Sequence, residues 1–157
     1  MRTSNILTII VCIALPLIAG SISGIATSGN INTWYAALVK PVFNPPGFLF
    51  GPVWTALYIM MGISLFLIWR SPPGDARSYA LFIFGIQLAL NFAWSFIFFH
   101  FKQTGWAFFE IIFVWISVLA MIIIFRRINK TAAFLQIPYL LWVTFASVLN
   151  GAIWWLN

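Results

Sequence analysis

The sequence predicts an all-α integral membrane protein, a single domain over residues 1–157 built as a bundle of five transmembrane helices. Three observations carry that prediction. The chain is 63% apolar and only 6% charged, whereas soluble domains are about a quarter charged. Five stretches reach the ~20 apolar residues that ~30 Å of hydrocarbon requires: Asn5–Ala26, Phe48–Trp69, Ser78–Phe101, Thr104–Phe125 and Thr131–Trp155. The basic residues are sparse and fall almost entirely between those stretches.

The first stretch begins after Arg2 and could also be read as a secretory signal, with small residues at Ala19–Ser21. Its apolar run continues to Ala26, which favours a resident helix. Pro16 lies inside it, and Gly20 and Gly24 form a GxxxG pair that permits close helix approach. The second stretch has Pro52 in its first turn, where a missing N–H costs little. A short polar turn, Arg70–Arg77, leads to the third stretch. There Gln87 and Asn91 share one face, while Gly85, Ala89 and Ala93 repeat at four-residue spacing on another. That small-residue stripe predicts a homodimer contact; the rival reading is that it packs within one bundle and that Gly20 and Gly24 mediate any dimer instead. The fourth stretch carries Glu110 near its start, where the helix dipole and Lys102 favour a carboxylate. A proton-coupled role is the alternative reading. The fifth contains Pro138, Trp142 and Asn150.

Charge placement predicts the orientation. Arg2, Arg70, Arg77, Arg126, Arg127 and Lys130 fall on one side, against Lys40 and Lys102 on the other. The positive-inside rule then puts the amino terminus inside and the carboxyl terminus outside, most simply in a bacterial cell membrane. Cations spread this way, outside any soluble face, argue against a nucleic-acid partner. Cys12 is the single cysteine and His100 the single histidine. That excludes an intrachain disulfide and leaves no metal-ligand set, so neither metal nor cofactor is expected.

Residues 27–47 make the longest connection and are expected to form a lid. In the stretch from Trp34 to Trp54, Pro41, Pro45, Pro46 and Pro52 fix φ and remove four backbone donors, which predicts a stiff, non-helical segment. Phe43, Phe48, Phe50 and the lone cation Lys40 lie among them. Six of nine tryptophans (Trp34, Trp54, Trp94, Trp106, Trp154 and Trp155) fall toward the same side, with Trp69 opposite and Trp115 and Trp142 nearer mid-depth. A plain aromatic belt in contact with membrane lipid would populate both interfaces. Trp154 and Trp155 fit such anchoring, whereas Trp54 and Trp142 fit the wall of a cavity under the lid. Helical spacing groups Trp54 with Tyr58 and Met61, Gln87 with Asn91 and Trp94, and Trp142 with Phe145, Ala146 and Leu149. The two amides must face the bundle interior, either bonding another helix or contacting a ligand.

Several of these residues form an ordered motif: Trp34-Tyr35, Leu38, Lys40-Pro41, then Pro45-Pro46, then Gly51-Pro52-Val53-Trp54. With Gln87–Trp94, Gly105-Trp106 and Pro138–Trp142, the order resembles the family of tryptophan-rich sensory proteins and mitochondrial translocator proteins (TspO/MBR) over nearly the whole chain. The resemblance associates the positions of Trp54, Asn91 and Trp142 with a ligand cavity and implies a porphyrin, such as protoporphyrin IX, as its ligand. The expected binding set is therefore Trp34, Tyr35, Lys40, Pro41, Trp54, Tyr58, Asn91, Trp94, Trp142, Phe145, Ala146 and Leu149. Lys40 would meet the porphyrin's propionates. The resemblance further implies light-dependent porphyrin breakdown, with Trp54 and Trp142 as catalytic electron donors.

The chain departs from the family pattern in places. Phe43 and Phe92 stand where tryptophan is common, and Val148-Leu149-Asn150 is followed by Gly151-Ala152-Ile153 without the Tyr and Arg of a sterol motif. The sequence contains no nucleophile–base pair, phosphate loop or paired carboxylates. A porphyrin sensor or regulator is thus the leading expectation, a carrier of porphyrins or other apolar metabolites the second, and a membrane scaffold the third.

Overall fold

The computed structural model describes residues 3–157, with side chains from residue 5 onward; Arg2 lies outside them. Six α-helices account for most of the chain: α1 (Thr3–Asn30), α2 (Phe50–Trp69), α3 (Asp75–Ser95), α4 (Thr104–Ile128), the short α5 (Lys130–Phe134) and α6 (Ile137–Leu156). Wider π-type turns extend α1 through Ile31–Tyr35 and α3 through Phe96–His100, and a tight turn at Gly47–Leu49 leads into α2. Counted with these extensions, five helical spans are long and apolar enough to cross a membrane: Asn5–Tyr35, Gly47–Trp69, Asp75–His100, Thr104–Ile128 and Lys130–Leu156. The all-α, five-span architecture is as the sequence predicts.

The lid is shorter than expected. Helical structure continues from α1 to residue 37, so the irregular segment covers roughly residues 38–46 instead of 27–47. The reason is local. No residue between Pro16 and Pro41 lacks a backbone donor, so nothing stops the helix until the proline run begins. Trp34 and Tyr35 therefore sit on a helix end, and Pro52 and Trp54 lie within α2.

α1 packs mainly on α2, α3 on α4, and α4 on α6, while α5 bridges α2 and α4 and α3 closes back on α1. The spans thus form a ring. Its half away from the lid is filled by Met61, Ile68, Phe84, Val118, Met121, Phe125, Tyr139 and Val143, all buried. Lipid is as apolar as these side chains, so close packing and interhelical hydrogen bonds hold the ring. At Gly62 the backbones of α2 and α1 touch, since an added Cβ would meet Ile13 Cα and, at 2.8 Å, the Cys12 carbonyl oxygen. Ser64 Oγ donates to the Ala132 carbonyl at 2.7 Å, tying α2 to α5. The lid-side half is looser. A small cluster of Phe98, Ala107, Leu149 and Ile153 gathers Trp34, Tyr35, Leu38, Phe50 and Trp94 around it.

Glu110 departs from its sequence reading. Both of its carboxylate oxygens are buried with no hydrogen-bond partner among the described residues, so Lys102, exposed in the turn before α4, does not hydrogen-bond to it. Glu110 instead borders a shallow groove of about 480 Å³ with Ile97, Trp106, Phe109 and Phe113. Gly85 and Ala89 are exposed on the outer face of α3, whereas Ala93 is half-buried.

Candidate ligand cavity

Between the filled half and the lid lies a cavity of about 650 Å³, within the ~300–1,000 Å³ range of small-molecule sites. Its floor is a chain of hydrogen bonds across three helices. Tyr58 OH on α2 donates to Asn91 Oδ1 on α3 at 2.9 Å. Asn91 Nδ2 in turn donates to Tyr139 OH on α6, also at 2.9 Å. Trp54 lies against Tyr58 with ring centroids 5.5 Å apart and planes 28° apart, and meets Tyr139 edge-on at 6.3 Å. The i, i+4 spacing of Trp54 and Tyr58 produces that stack.

The far wall comes from α6, where Trp142, Ala146, Leu149, Asn150 and Ile153 line the space. Trp142 is set edge-on to Phe50 at 6.0 Å and lies beside Phe145 at 5.4 Å. Its buried Nε1 has no hydrogen-bond partner among the described residues. On α3, Trp94 stacks on Phe98 at 5.3 Å and donates through Nε1 to Asn150 Oδ1 at 3.1 Å. Asn150 Nδ2 continues to the Thr104 carbonyl at 2.8 Å, so one amide fastens α3, α4 and α6 at the lid end.

The lid is fastened at several points. Asn157 accepts from Val39 N at 3.0 Å and donates to Val39 O at 2.9 Å. Tyr35 OH donates to Asn44 Oδ1 at 2.9 Å, and Phe43 rests edge-on against Phe145. Lys40 borders the cavity. Its Nζ donates to the carbonyls of Ala36 and Leu38 at 3.0 and 3.1 Å and sits 4.9 Å from the Tyr35 ring centroid. An ammonium has three donors, so one remains for a ligand.

Of the expected binding set, the structure puts Tyr35, Lys40, Trp54, Tyr58, Trp94, Trp142, Ala146 and Leu149 on the cavity surface. Trp34, Pro41, Asn91 and Phe145 stand behind it. Trp34 supports Phe98 edge-on at 5.8 Å, Pro41 closes the turn to Asn44, Asn91 builds the floor, and Phe145 backs Trp142. Sequence reasoning missed the α1 wall of Leu17, Gly20, Ser23 and Thr27, as well as Phe98 and Asn150. The four-residue spacing of Gly20 with Gly24 and Ser23 with Thr27 was the available signal. Gln87 is fully buried, as an intramembrane amide should be, but its side chain bonds nothing among the described residues. Trp155 is 89% exposed, as anchoring in the interface requires.

The sequence profile of the TspO/MBR family matches residues 12–156. The chain is 39% identical over 157 residues to the tryptophan-rich protein TspO of Chlorobaculum tepidum, covering 98% of both chains. It is 40% identical over 154 residues to that of Archaeoglobus fulgidus, covering 98% of this chain and 99% of the other. With the human translocator protein it shares 38% identity over 123 residues, 77% of this chain and 73% of the relative.

Proposed function

The chain belongs to the TspO/MBR family, and from that premise we propose that it is a membrane tetrapyrrole-binding protein that senses or regulates porphyrin level. One observation carries the reading: an aromatic-walled cavity of about 650 Å³ with a single cation at its rim. Large flat rings bind by stacking and burial against such walls. The indoles of Trp54 and Trp142 supply the faces. Lys40 supplies a donor for propionate oxygens. The same two indoles make light-dependent breakdown of a bound porphyrin a reaction worth testing, with electrons passing from the indole to the excited ring. The filled inner half of the ring favours binding over passage through the bundle, because the Tyr58–Asn91–Tyr139 floor closes the cavity on that side.

The test uses two porphyrins and one variant. Lys40→Gln should weaken protoporphyrin IX several-fold in fluorescence titration while leaving its dimethyl ester nearly unaffected. Equal losses for both would show that Lys40 acts on the lid and not on propionates.

The proposed assembly is a homodimer through the exposed Gly85–Ala89 face and the adjacent Ala93. Gly20 is not free for that role, because it seats against the Tyr58 ring within the same chain. Gly85→Leu with Ala89→Leu should shift the detergent-solubilised protein to monomer without lowering its melting temperature; a dimer that survives both changes sinks this surface.

The proposed orientation keeps the amino terminus inside, in keeping with the six-to-two distribution of Lys and Arg. In a Cys12→Ser background, a cysteine at Lys102 should react with an impermeant maleimide on intact cells and one at Ser71 should not. The opposite pattern would reverse the topology.

A further inference from the structure

We propose that the cavity fills from the bilayer, through a lateral opening between the lid-side halves of α1 and α2, and not through the lid. The proposal rests on the porphyrin reading only for the identity of the cargo. The two helices are in backbone contact at Gly62 and Ile13, and one step higher Gly20 lies against the Tyr58 ring. On the lid side of Tyr58 a glycine on each helix is left uncovered. A Cβ added at Gly24 or at Gly51 would meet nothing within 4 Å. Ser21 and Gly24 on α1 and Gly51 and Thr55 on α2 are exposed and line the cavity. These four residues mark where the cavity wall meets the surroundings.

Three further facts bear on what passes there. Ser23, only 4% exposed, lines the cavity from α1, and its Oγ has no hydrogen-bond partner among the described residues. Ser23 thus belongs to the α1 wall of the cavity, next to the uncovered Gly24. The outer face of α1 beside the opening carries exposed Ile18, Ile22 and Ile25, so the opening faces hydrocarbon and admits molecules dissolved in it. The lid, by contrast, is fastened by the paired Val39–Asn157 bonds and by Tyr35–Asn44. A flat apolar ring concentrates in the bilayer and reaches the opening without breaking any of them. Tyr58 forms the lower stop and the Trp54 stack the first surface met inside.

The test is a thiol-access measurement that needs no porphyrin. In a Cys12→Ser background reconstituted in nanodiscs, Ser23→Cys is labelled with the membrane-soluble reagent N-phenylmaleimide. The lid is locked by a Val39→Cys/Asn157→Cys disulfide, and the opening is plugged by Gly24→Leu with Gly51→Leu. The expected result is an unchanged labelling rate with the lid locked and at least a tenfold slower rate with the opening plugged. Gly29→Leu, at an equally open glycine of α1 that does not line the cavity, should leave the rate unchanged. Should the double leucine variant fail to fold, Gly24→Leu alone carries the comparison. Labelling that stops on locking the lid, that ignores the plug, or that Gly29→Leu slows equally overturns the proposal. Protoporphyrin IX association is followed in the same proteins without Ser23→Cys. If the maleimide rates behave as expected but the porphyrin fails to bind, the opening stands and the porphyrin reading falls.

Discussion

Asn91→Leu should lower the unfolding free energy by about 1–3 kcal/mol, and Tyr139→Phe placed on top of it should restore part of that loss. Asn91 spends its amide on two hydroxyls, accepting from Tyr58 and donating to Tyr139. Removing a net hydrogen bond costs roughly 0.5–1.5 kcal/mol, but stranding a buried polar group costs about 1–3. Tyr139 is almost fully buried, so the second effect dominates there. Tyr58 borders the cavity and can turn its hydroxyl toward that space, so it adds less. Replacing both partners of a buried bond by apolar groups is close to neutral, which is why the double variant should recover. Reversible unfolding in mixed micelles measures all three proteins. Porphyrin affinity should fall too, because the Trp54–Tyr58 stack loses its anchor. A single variant of normal stability that nevertheless fails to bind would assign Asn91 to the ligand and not to the floor.

How much of this was legible in the sequence varies by level. The five spans were, because apolar length against bilayer thickness is a one-dimensional quantity. The stack of Trp54 on Tyr58 was, because i, i+4 spacing decides it within one helix. The lid's extent was misjudged by counting residues 27–37 in a connection whose prolines begin only at Pro41. Asn91 was placed correctly in the interior, but its two possible duties differ only in what stands opposite, and that is decided by Tyr58 and Tyr139, 33 positions before it and 48 after. The α1 wall went unread because its glycines, serine and threonine carry no aromatic signal. Their value lies in being small beside Tyr58, a fact of tertiary geometry. Lys40 was assigned to the mouth on its charge and its place in the proline segment, whereas its bonds to the Ala36 and Leu38 carbonyls depend on how the chain turns at the end of the helix.

Trp54→Phe and Trp142→Phe should each weaken protoporphyrin IX binding about two- to twelve-fold, and Trp155→Phe should not change it. An aromatic pair contributes roughly 0.5–1.5 kcal/mol beyond its area burial, and 1.4 kcal/mol is a factor of ten in affinity. Phenylalanine keeps a ring but loses face area, and at residue 142 the whole of that loss falls on the cavity wall opposite Trp54. Trp142→Phe should therefore fall at the upper end of the range and Trp54→Phe at the lower. Trp54 is already stacked on Tyr58, so part of its surface serves the wall whatever is bound. Trp155 is exposed at the lid-side end of α6 and does not line the cavity, which makes it the control for general damage to the bundle. The same variants address the photochemistry. If indole rings at residues 54 and 142 donate electrons to the excited porphyrin, illumination should bleach bound pigment more slowly in both variants, even when ligand is raised to keep the site saturated. Bleaching that recovers fully at saturation would reduce both tryptophans to binding groups. Equal affinity losses at residues 54, 142 and 155 would mean that the tryptophans only stabilise the ring of helices, and the cavity reading would fall with them.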